Sequence, residues 1–288
     1  MTLLRTLRHV LAHEDINFLL TNRIPRQWCT IWMGRISQIR SPLFTRVALW
    51  LWSRFTDLEL QDTAPGPYAS VHDFFIRPLR AGARPVEAAP GVLVSPCDGI
   101  VGAHGRIEDG QLFQAKGFPY RLDELVGDTP LAAQWRNGEF VTLRIQSSMY
   151  HRLHAPCAGR VRGVTYFSGD TWNVNPIALQ RVEKLFCKNE RALLPVEVDG
   201  TADVVGVVPV AAVLVASIRL HAIDTTLHLR YRGPNHLPCD TTFGAGDELG
   251  WFQHGSTVIV LAPPGYRLLE RWQTGERIRM GQALMGKG

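Results

Sequence analysis

A change of pattern near residue 65 constrains the fold of this 288-residue chain more than any other feature. Residues 63–67 read Thr-Ala-Pro-Gly-Pro, and proline with glycine at this density marks a boundary between structural units. Beyond it, short valine-rich runs alternate with turns of Gly, Pro and Asp. Such runs are typical of β-strands, and they occupy residues 91–94, 140–145, 159–166, 204–208, 211–218, 226–231 and 257–261. The pattern predicts a predominantly β domain over residues 68–288, with one helix at residues 176–189.

The first 62 residues follow a different pattern, with apolar side chains recurring at helical spacing. Ser41 followed by Pro42 is typical of a helix start, because serine caps the first turn and proline fits its first position. The apolar side chains form three stripes, which are Leu3, Leu4, Leu7, Val10 and Leu11; Trp28, Ile31, Trp32, Ile36 and Ile39; and Leu43, Phe44, Val47, Trp50, Leu51 and Phe55. The predicted class is therefore α+β, a predominantly β domain with an N-terminal amphipathic helical segment.

Positive charge is concentrated in the same N-terminal segment. The whole chain has a formal net charge of +5, and residues 1–60 carry eight arginines against four carboxylates. A basic segment rich in tryptophan suits an anionic partner, either lipid headgroups or nucleic acid. Two arrangements are open for its helices. They lie in a membrane interface, where indole rings prefer the headgroup boundary, or their apolar stripes pack on the rest of the protein.

The cysteines and the apolar runs argue against several protein classes. The five cysteines are odd in number, widely scattered and form no C-x-x-C pair. This pattern argues against a disulfide framework or a thiolate zinc site and favours a reducing compartment. The N-terminus lacks the layout of a signal peptide. The longest mainly apolar stretch, residues 204–218, is shorter than the roughly 20 residues that cross a bilayer, so no transmembrane helix is expected.

Reactive side chains lie in several short segments. His151 and His154 could bind a metal together, but no third ligand has suitable spacing, so we predict no metal site. The glycine-rich residues 243–257 lack the Lys-Ser/Thr ending of a phosphate-binding loop. Asp98, His154 and Ser256 supply the acid, base and nucleophile of a hydrolase-type triad. Ser256 is not, however, in the G-x-S-x-G elbow that usually presents such a serine.

Eight segments follow one another in a recognisable order. They are Asp-Phe-Phe-Ile-Arg-Pro-Leu at 73–79, Arg-Pro at 84–85, Ser-Pro-Cys-Asp-Gly at 95–99, Lys-Gly at 116–117, Tyr-His-Arg-Leu-His-Ala-Pro at 150–156, Val-Asn-Pro at 174–176, Asn-Glu-Arg at 189–191 and Gly-Ser-Thr at 255–257. Together they resemble the phosphatidylserine decarboxylase family over nearly the whole chain. The chain departs from the family pattern where alanine replaces the lysine of a lysine-glycine pair (Ala245), where alanines replace two glycines (Ala211 and Ala216) and where His254 replaces leucine.

The resemblance implies that the chain is a proenzyme that cleaves itself. In this family a serine is converted to a pyruvoyl cofactor, and the matching residue here is Ser256. Asp98 is expected to orient His154, and His154 to remove the Ser256 hydroxyl proton. The serine oxygen is then expected to attack the carbonyl of Gly255, giving an ester by an N→O acyl shift.

The resemblance also implies the products and the reaction. Cleavage gives a β chain of residues 1–255 and an α chain of residues 256–288, which stay associated, with a homodimer left open. The enzyme is expected to convert phosphatidylserine to phosphatidylethanolamine through a Schiff base with the pyruvoyl group. His151 is expected to return a proton to the α-carbon after carbon dioxide leaves.

A substrate that resides in an anionic membrane favours a membrane role for residues 1–62 over simple packing, and lipid over nucleic acid as the partner. We expect a peripheral enzyme on the cytoplasmic side of a bacterial inner membrane. Two alternatives stay open. One is a serine hydrolase that uses Asp98, His154 and Ser256 without self-cleavage, and the other is a non-catalytic membrane-binding relative.

Overall fold

The computed structural model describes residues 13–64, 66–115, 118–214, 217–253 and 256–288. Its helices are α1 Glu14–Asn22, α2 Arg26–Ser37, α3 Pro42–Ser53, α4 Val71–Phe75, α5 Leu122–Val126, α6 Ala132–Trp135, α7 Pro176–Leu179 and α8 Leu185–Lys188. Its strands are β1 Val92–Val94, β2 Gly99–Arg106, β3 Gln111–Ala115, β4 Phe118–Arg121, β5 Glu139–Ile145, β6 Arg152–His154, β7 Gly159–Phe167, β8 Arg191–Val198, β9 Val204–Val210, β10 Ile218–Leu220, β11 Thr226–Leu227, β12 His236–Phe243, β13 Glu248–Phe252, β14 Ser256–Ala262, β15 Tyr266–Leu268, β16 Arg277–Ile278 and β17 Ala283–Lys287. This mixture, in which strands outweigh helices, confirms the predicted α+β class.

The largest sheet has eight antiparallel strands in the order β12-β7-β8-β9-β14-β5-β2-β16. Strand β14 lies inside it, paired with β9 on one side and β5 on the other, and all seven of its residues are buried. Its sequence, Ser-Thr-Val-Ile-Val-Leu-Ala, is rich in the β-branched residues that pack well on a pleated surface. The preceding strand, β13, belongs to a separate sheet of order β11-β10-β13-β6. The chain therefore passes from one sheet to another between β13 and β14.

Five of the seven valine-rich runs coincide with strands β1, β5, β7, β9 and β14. The other two predictions are wrong in extent. In the run 226–231, only Thr226 and Leu227 form a strand. In the run 211–218, β9 has already ended and Leu214 has a φ of 68°, a left-handed conformation that extended strands do not accommodate.

The single helix predicted over residues 176–189 is also wrong, because α7 and α8 are separate. Lys184, which precedes α8, has a φ of 52° and so cannot continue a right-handed helix. The buried Gln114 side chain occupies the gap, donating to the carbonyls of Leu179 and Val182 at 2.8 Å each and accepting from the Leu185 amide at 2.5 Å. A glutamine from a distant strand thus supplies the hydrogen bonds that a continuous helix would supply itself.

Helices α2 and α3 form over the second and third apolar stripes. The predicted start of α3 is confirmed, because the Ser41 hydroxyl accepts a hydrogen bond from the Phe44 amide at 3.3 Å and Pro42 takes the first helical position. The first stripe, between Leu3 and Leu11, lies outside the described residues.

The burial of these helices is the reverse of that in an ordinary surface helix. Many of their large apolar side chains point outwards, and Trp28 and Leu43 are 66% and 71% exposed, although Trp52 packs on Phe74 and Phe75. Thr30, by contrast, is buried, and its hydroxyl accepts from the Leu214 amide at 3.0 Å. The alternative that the stripes pack on the rest of the protein is therefore wrong for these exposed side chains. The buried residues of α1, α2 and α3 are all polar and are Asn22, Thr30, Ser37 and Thr45. Within the described ranges, no helix combines the length and the apolar content needed to cross a membrane.

Candidate active site

Three of the sequence segments that are far apart in the chain meet around strand β6. The His154 amide donates to the Pro96 carbonyl at 2.8 Å, which ties residues 150–156 to residues 95–99. The Ala155 amide donates to the Asp247 carbonyl at 2.8 Å, which ties the same strand to the glycine-rich segment. Backbone hydrogen bonds therefore bring together the segments that hold Asp98, His154 and Ser256.

Ser256 is the first residue of β14, where the chain enters the eight-stranded sheet. It is completely buried and lies opposite Ile145 in the antiparallel register with β5. Its hydroxyl makes no hydrogen bond with any described residue. A buried polar group in that state costs about 1–3 kcal/mol, so it calls for a functional explanation. Residues 254 and 255, which precede it, lie outside the described residues.

The ring of His154 is held at both nitrogens. Its Nδ1 atom lies 2.7 Å from the Gly246 carbonyl oxygen, and the Tyr150 hydroxyl lies 3.0 Å from its Nε2 atom. A carbonyl can only accept, so Nδ1 carries the proton, and Nε2 accepts from Tyr150. Burial lowers the pKa of His154, although the Gly246 carbonyl and the carboxylates of Glu248 and Asp98 oppose part of that effect. The ring is therefore a neutral base at neutral pH.

The resemblance leads one to expect that Asp98 orients His154 directly. The structure shows no hydrogen bond between these two side chains. Its carboxylate instead accepts from Arg84 at 2.9 and 2.6 Å and from the Met280 amide at 2.8 Å. A guanidinium fork matches both carboxylate oxygens, so a neutral imidazole competes poorly for them. In this structure the Gly246 carbonyl fixes the tautomer of His154, and the charge of Asp98 acts on the ring together with the larger effect of Glu248.

His151, which directly precedes strand β6, is fully buried. Its carbonyl accepts from the Phe252 amide at 3.0 Å, and its ring meets the Phe75 ring edge-on with centroids 5.3 Å apart. Burial, followed by the nearby Arg77 cation, lowers the pKa of His151 to about 3. Neither ring nitrogen has a well-formed hydrogen bond to a described side chain or backbone group. In this state, without a ligand, the ring is neutral at pH 7.

Arg77 is a residue of the site that sequence reasoning missed. It is 1% exposed and donates to the carbonyls of Ser148 and Met149 at 2.9 and 3.1 Å. It also donates hydrogen bonds to the Thr63 hydroxyl and to the carbonyls of Phe74 and Glu59. Arg77 thus fastens the loop before His151 to the segment that follows the N-terminal helices. Arg77 lies inside the family-like segment 73–79, so the sequence did mark its position. Nothing in that pattern, however, distinguishes a buried arginine that joins two segments from a surface arginine.

A cavity of about 720 Å³ adjoins these residues. Helices α2, α3 and α4 form one wall, and the loop after β5 forms another. Two residues of the cavity lining connect it to the candidate site. Ile145 lies opposite Ser256 in the sheet, and Phe75 contacts the ring of His151. Its apolar lining includes Ile36, Phe44 and Trp52. An elongated apolar ligand in this space would reach the neighbourhood of Ser256 and His151.

Two of the four departures from the family pattern, Ala245 and Ala211, lie among the described residues. Gly246, which follows Ala245, supplies the carbonyl that holds His154. Ala211 is fully buried, and its amide donates to the Glu190 carbonyl at 2.8 Å. Ala216 and His254 lie outside the described residues. In the part of the chain that the structure describes, no three His, Cys, Asp or Glu side chains are grouped so as to hold a metal ion.

Comparison with known proteins identifies the family of this chain. The model of the phosphatidylserine decarboxylase family matches residues 71–286. A phosphatidylserine decarboxylase proenzyme of Delftia acidovorans is 36% identical over 92% of this chain and 95% of its own length. Proenzymes of the same name from Chromobacterium violaceum and Yersinia enterocolitica are 38% and 34% identical, over 78% and 94% of this chain and 81% and 96% of their own lengths. The chain therefore belongs to the phosphatidylserine decarboxylase family.

Proposed function

We propose that this chain is a phosphatidylserine decarboxylase that forms its own pyruvoyl group by breaking the peptide bond between Gly255 and Ser256. The observation that carries the proposal is the buried Ser256 hydroxyl, which is free of hydrogen bonds to the described residues. A hydroxyl without competing partners is available as an internal nucleophile. The relatives named as phosphatidylserine decarboxylase proenzymes support both the reaction and the processing.

His154 is the base in the proposed cleavage. It is neutral at pH 7, and its Nδ1 proton is committed to the Gly246 carbonyl, so Nε2 is the atom that accepts a proton. A small movement of the Tyr150 hydroxyl frees Nε2 to take the proton from Ser256. The negative charge of Asp98 then stabilises the imidazolium. The distribution of roles follows the hydrogen bonds, with Gly246 positioning the ring and Asp98 supplying charge.

The covalent steps use only the chain and water. The Ser256 oxygen attacks the Gly255 carbonyl carbon, and the C–N bond breaks to leave an ester. Loss of the Cα proton of residue 256 then breaks the bond between its Cβ and the ester oxygen. This elimination releases residues 1–255 with a terminal carboxylate and leaves an enamine, which tautomerises to an imine. Water hydrolyses the resulting imine on residue 256 and releases ammonia, which leaves a ketone at the new terminus.

The decarboxylation needs an electron sink, which the pyruvoyl carbonyl supplies and which unmodified side chains lack. His151 holds a proton at a ring nitrogen for return to the substrate α-carbon. Its pKa of about 3 in the free protein rises when an anionic headgroup lies beside the ring, because an opposite charge stabilises the imidazolium. The Phe75 ring covers one side of His151 and keeps water away from it.

The arrangement of the sheet supports continued association of the two products. Strand β14 begins at Ser256, and its backbone pairs with β5 and β9 on both sides. Breaking the chain in front of this strand leaves those pairings intact. We therefore propose that the α and β chains remain one folded unit, and a homodimer of such units is an assembly that the proposal leaves open.

The N-terminal helices are the proposed membrane contact. Their outward side chains include Trp28, Trp32, Leu43 and Trp50, each at least half exposed. Exposed apolar area of this kind marks an interaction surface, and its tryptophans and arginines suit an anionic bilayer more than nucleic acid. The cavity opens between these same helices and the sheet, so a lipid could enter it from the bilayer. The proposed location is the cytoplasmic face of a bacterial inner membrane, with peripheral attachment.

The serine hydrolase alternative uses the same three residues without cleavage. It is less consistent with the burial of Ser256, which is 0% exposed and lies where a hydrogen-bonded strand begins. In the uncleaved chain, an external ester or amide would have to reach a hydroxyl that is 0% exposed. The backbone carbonyl immediately before the serine is already adjacent to it in the chain. The geometry therefore favours attack on the protein's own backbone.

Mass spectrometry of the purified protein, together with carbon dioxide release from phosphatidylserine vesicles, tests the proposal. We expect two polypeptides that divide between residues 255 and 256, with a pyruvoyl group on the smaller one, and decarboxylation by the same preparation. An active preparation with an intact 32.2 kDa chain would overturn it. A cleaved preparation that releases no carbon dioxide would support the proposed self-cleavage but reject the proposed decarboxylase activity.

A further inference from the structure

Arg144 is a partly buried cation whose charge is not neutralised. It lies on β5 and lines the 720 Å³ cavity. Its side chain makes no ion pair or hydrogen bond with any described residue, whereas the buried Arg84 contacts two carboxylates and the buried Arg191 donates to four carbonyls. Burial lowers the pKa of Arg144. A partly desolvated charge with no partner among the described residues is well placed to bind an anionic ligand.

The position of Arg144 links it to the proposed reacting residue. In the register of β5 with β14, Arg144 lies opposite Thr257 and Ile145 lies opposite Ser256. Paired residues in an antiparallel sheet have Cα atoms roughly 4.5–5.5 Å apart. Successive side chains on a strand point to opposite faces, yet both residues line the cavity, because it lies at the end of the strand. Arg144 is thus within one side-chain length of the start of β14.

We propose that Arg144 binds the phosphodiester anion of the lipid headgroup and so positions the substrate at Ser256. This inference rests on the proposed function. In phosphatidylserine the phosphate is joined through oxygen to the β-carbon of the serine headgroup, next to the α-carbon that reacts. A cation beside Thr257 can therefore hold the phosphate while the amine and the α-carbon lie at residue 256. Guanidinium groups match the geometry of phosphate oxygens.

The phosphate is a better ligand for Arg144 than the substrate carboxylate. The carboxylate leaves as carbon dioxide, so a strong ion pair with it would stabilise the ground state and slow the reaction. The phosphate keeps its charge throughout, and a contact with it is made equally in the ground state and the transition state. Arg144 is accordingly a positioning residue, and its loss raises KM more than it lowers kcat.

The test compares Arg144→Gln with Arg106→Gln, using short-chain phosphatidylserine dispersed in neutral detergent. Arg106 is exposed and lies opposite Glu139, at the far end of the same strand pair, so its removal costs the same charge away from the cavity. We expect Arg144→Gln to be cleaved normally and to raise KM roughly ten- to a hundredfold, the range of a charge-assisted hydrogen bond, with kcat changed only a few-fold. Arg144→Lys should recover part of the loss, and Arg106→Gln should match the wild type.

A second arm needs no variant. A phosphatidylserine analogue whose phosphate is methylated to a neutral triester should show a similarly raised KM with the wild-type enzyme, and Arg144→Gln should treat the two lipids alike. Equal KM values for diester and triester with the wild type would overturn the inference, as would retained discrimination in Arg144→Gln. If the wild type neither cleaves itself nor decarboxylates, the proposed function fails first. If it does both, only the role of Arg144 is in question.

Inorganic phosphate separates a lipid-bound anion from a free one. Competition that the wild type shows and Arg144→Gln lacks would assign the site to phosphate in general. Absence of competition, with discrimination between diester and triester intact, would assign it to phosphate carried by lipid. Competition that is equally strong in Arg144→Gln would place phosphate elsewhere and count against the inference.

Discussion

The Nδ1 atom of His154 lies 2.7 Å from the carbonyl oxygen of Gly246. This contact assigns the ring proton to Nδ1, which in the proposed mechanism leaves Nε2 as the basic atom facing Tyr150. A catalytic histidine is often oriented by a carboxylate, but here a backbone carbonyl does so. Orientation and charge are thus supplied by different groups, Gly246 and Asp98, and the two effects can be tested separately.

Self-cleavage should have an acid limit below the ordinary range of histidine. Burial lowers the pKa of His154, and the base must be neutral to act, so the rate should stay level from about pH 8 down to about pH 6.5, the unperturbed value. It should fall only as the pH drops through the lowered pKa. Cell-free synthesis at neutral pH, a jump to each test pH and a timed denaturing gel would measure this. A rate that already declines above pH 7 would contradict the assignment of His154 as a buried neutral base.

Replacing Ser256 by alanine should leave an intact 32.2 kDa chain that releases no carbon dioxide. The matched control is Ser70→Ala. Ser70 caps α4 by accepting from the Asp73 amide at 3.1 Å, so its loss should cost about 1 kcal/mol of stability. That variant should still cleave. Gel electrophoresis and denaturant unfolding separate the two effects, and a cleaved Ser256→Ala chain would exclude this residue as the nucleophile.

Asp98→Asn should slow self-cleavage roughly ten- to a hundredfold, the range that a nearby charge supplies. No further slowing should come from a change in the tautomer of His154, because the Gly246 carbonyl still holds the proton on Nδ1. The control is Asp62→Asn, which removes the other carboxylate bound to Arg84, at 2.7 Å, and leaves Asp98 in place. Its cleavage rate should be close to that of the wild type. Equal slowing in both variants would indicate that Arg84, rather than the charge of Asp98, controls the reaction.

His151→Gln should separate the two activities. The chain should cleave itself at the wild-type rate, since His154 is the base for that step, but decarboxylation should fall by roughly 10²–10⁴, as for loss of a general acid. His104→Gln, which changes an exposed histidine on β2, serves as the control and should keep both activities. Mass spectrometry reports cleavage, and carbon dioxide release reports turnover. An uncleaved His151→Gln chain would assign His151 to maturation instead.

Membrane attachment should depend on the outward side chains of α2 and α3. Changing Trp28, Trp32 and Leu43 together to serine removes three exposed apolar groups without touching the buried Thr30 that docks α2. We expect cosedimentation with phosphatidylserine vesicles to be lost while self-cleavage continues. Phe113→Ser, which removes a 44% exposed apolar group elsewhere, should bind as the wild type does. Full binding by the triple variant would contradict the proposed membrane contact.

Much of the fold could be predicted because the local pattern and the tertiary structure agree. The run in β14 is both rich in β-branched residues and buried between two strands. Prediction failed where a distant residue decides the outcome. Gln114 interrupts what the sequence suggests is one helix, and no pattern within residues 176–189 reveals that. The outward face of α2 was ambiguous for a similar reason, because amphipathic spacing does not say which side meets the protein.

The sequence predicts the residues of the candidate site but not their contacts. The segments of Asp98 and His154 are joined by a backbone hydrogen bond, yet the Asp98 carboxylate accepts from Arg84 and the His154 ring donates to the Gly246 carbonyl. A backbone carbonyl leaves no signature in a sequence, since every residue has one. Arg144 was overlooked because it lies outside the family-like segments, and only its unsatisfied charge in a cavity draws attention to it.

The place of β14 between two other strands has a consequence for the lifetime of the enzyme. Under the proposed maturation, the modified terminus sits on an interior strand and cannot be withdrawn without unravelling the sheet. A spent or chemically blocked terminus therefore cannot be swapped for a fresh one, as a diffusible coenzyme can. Each polypeptide is activated a single time, and the cell restores lost capacity only by synthesising new protein.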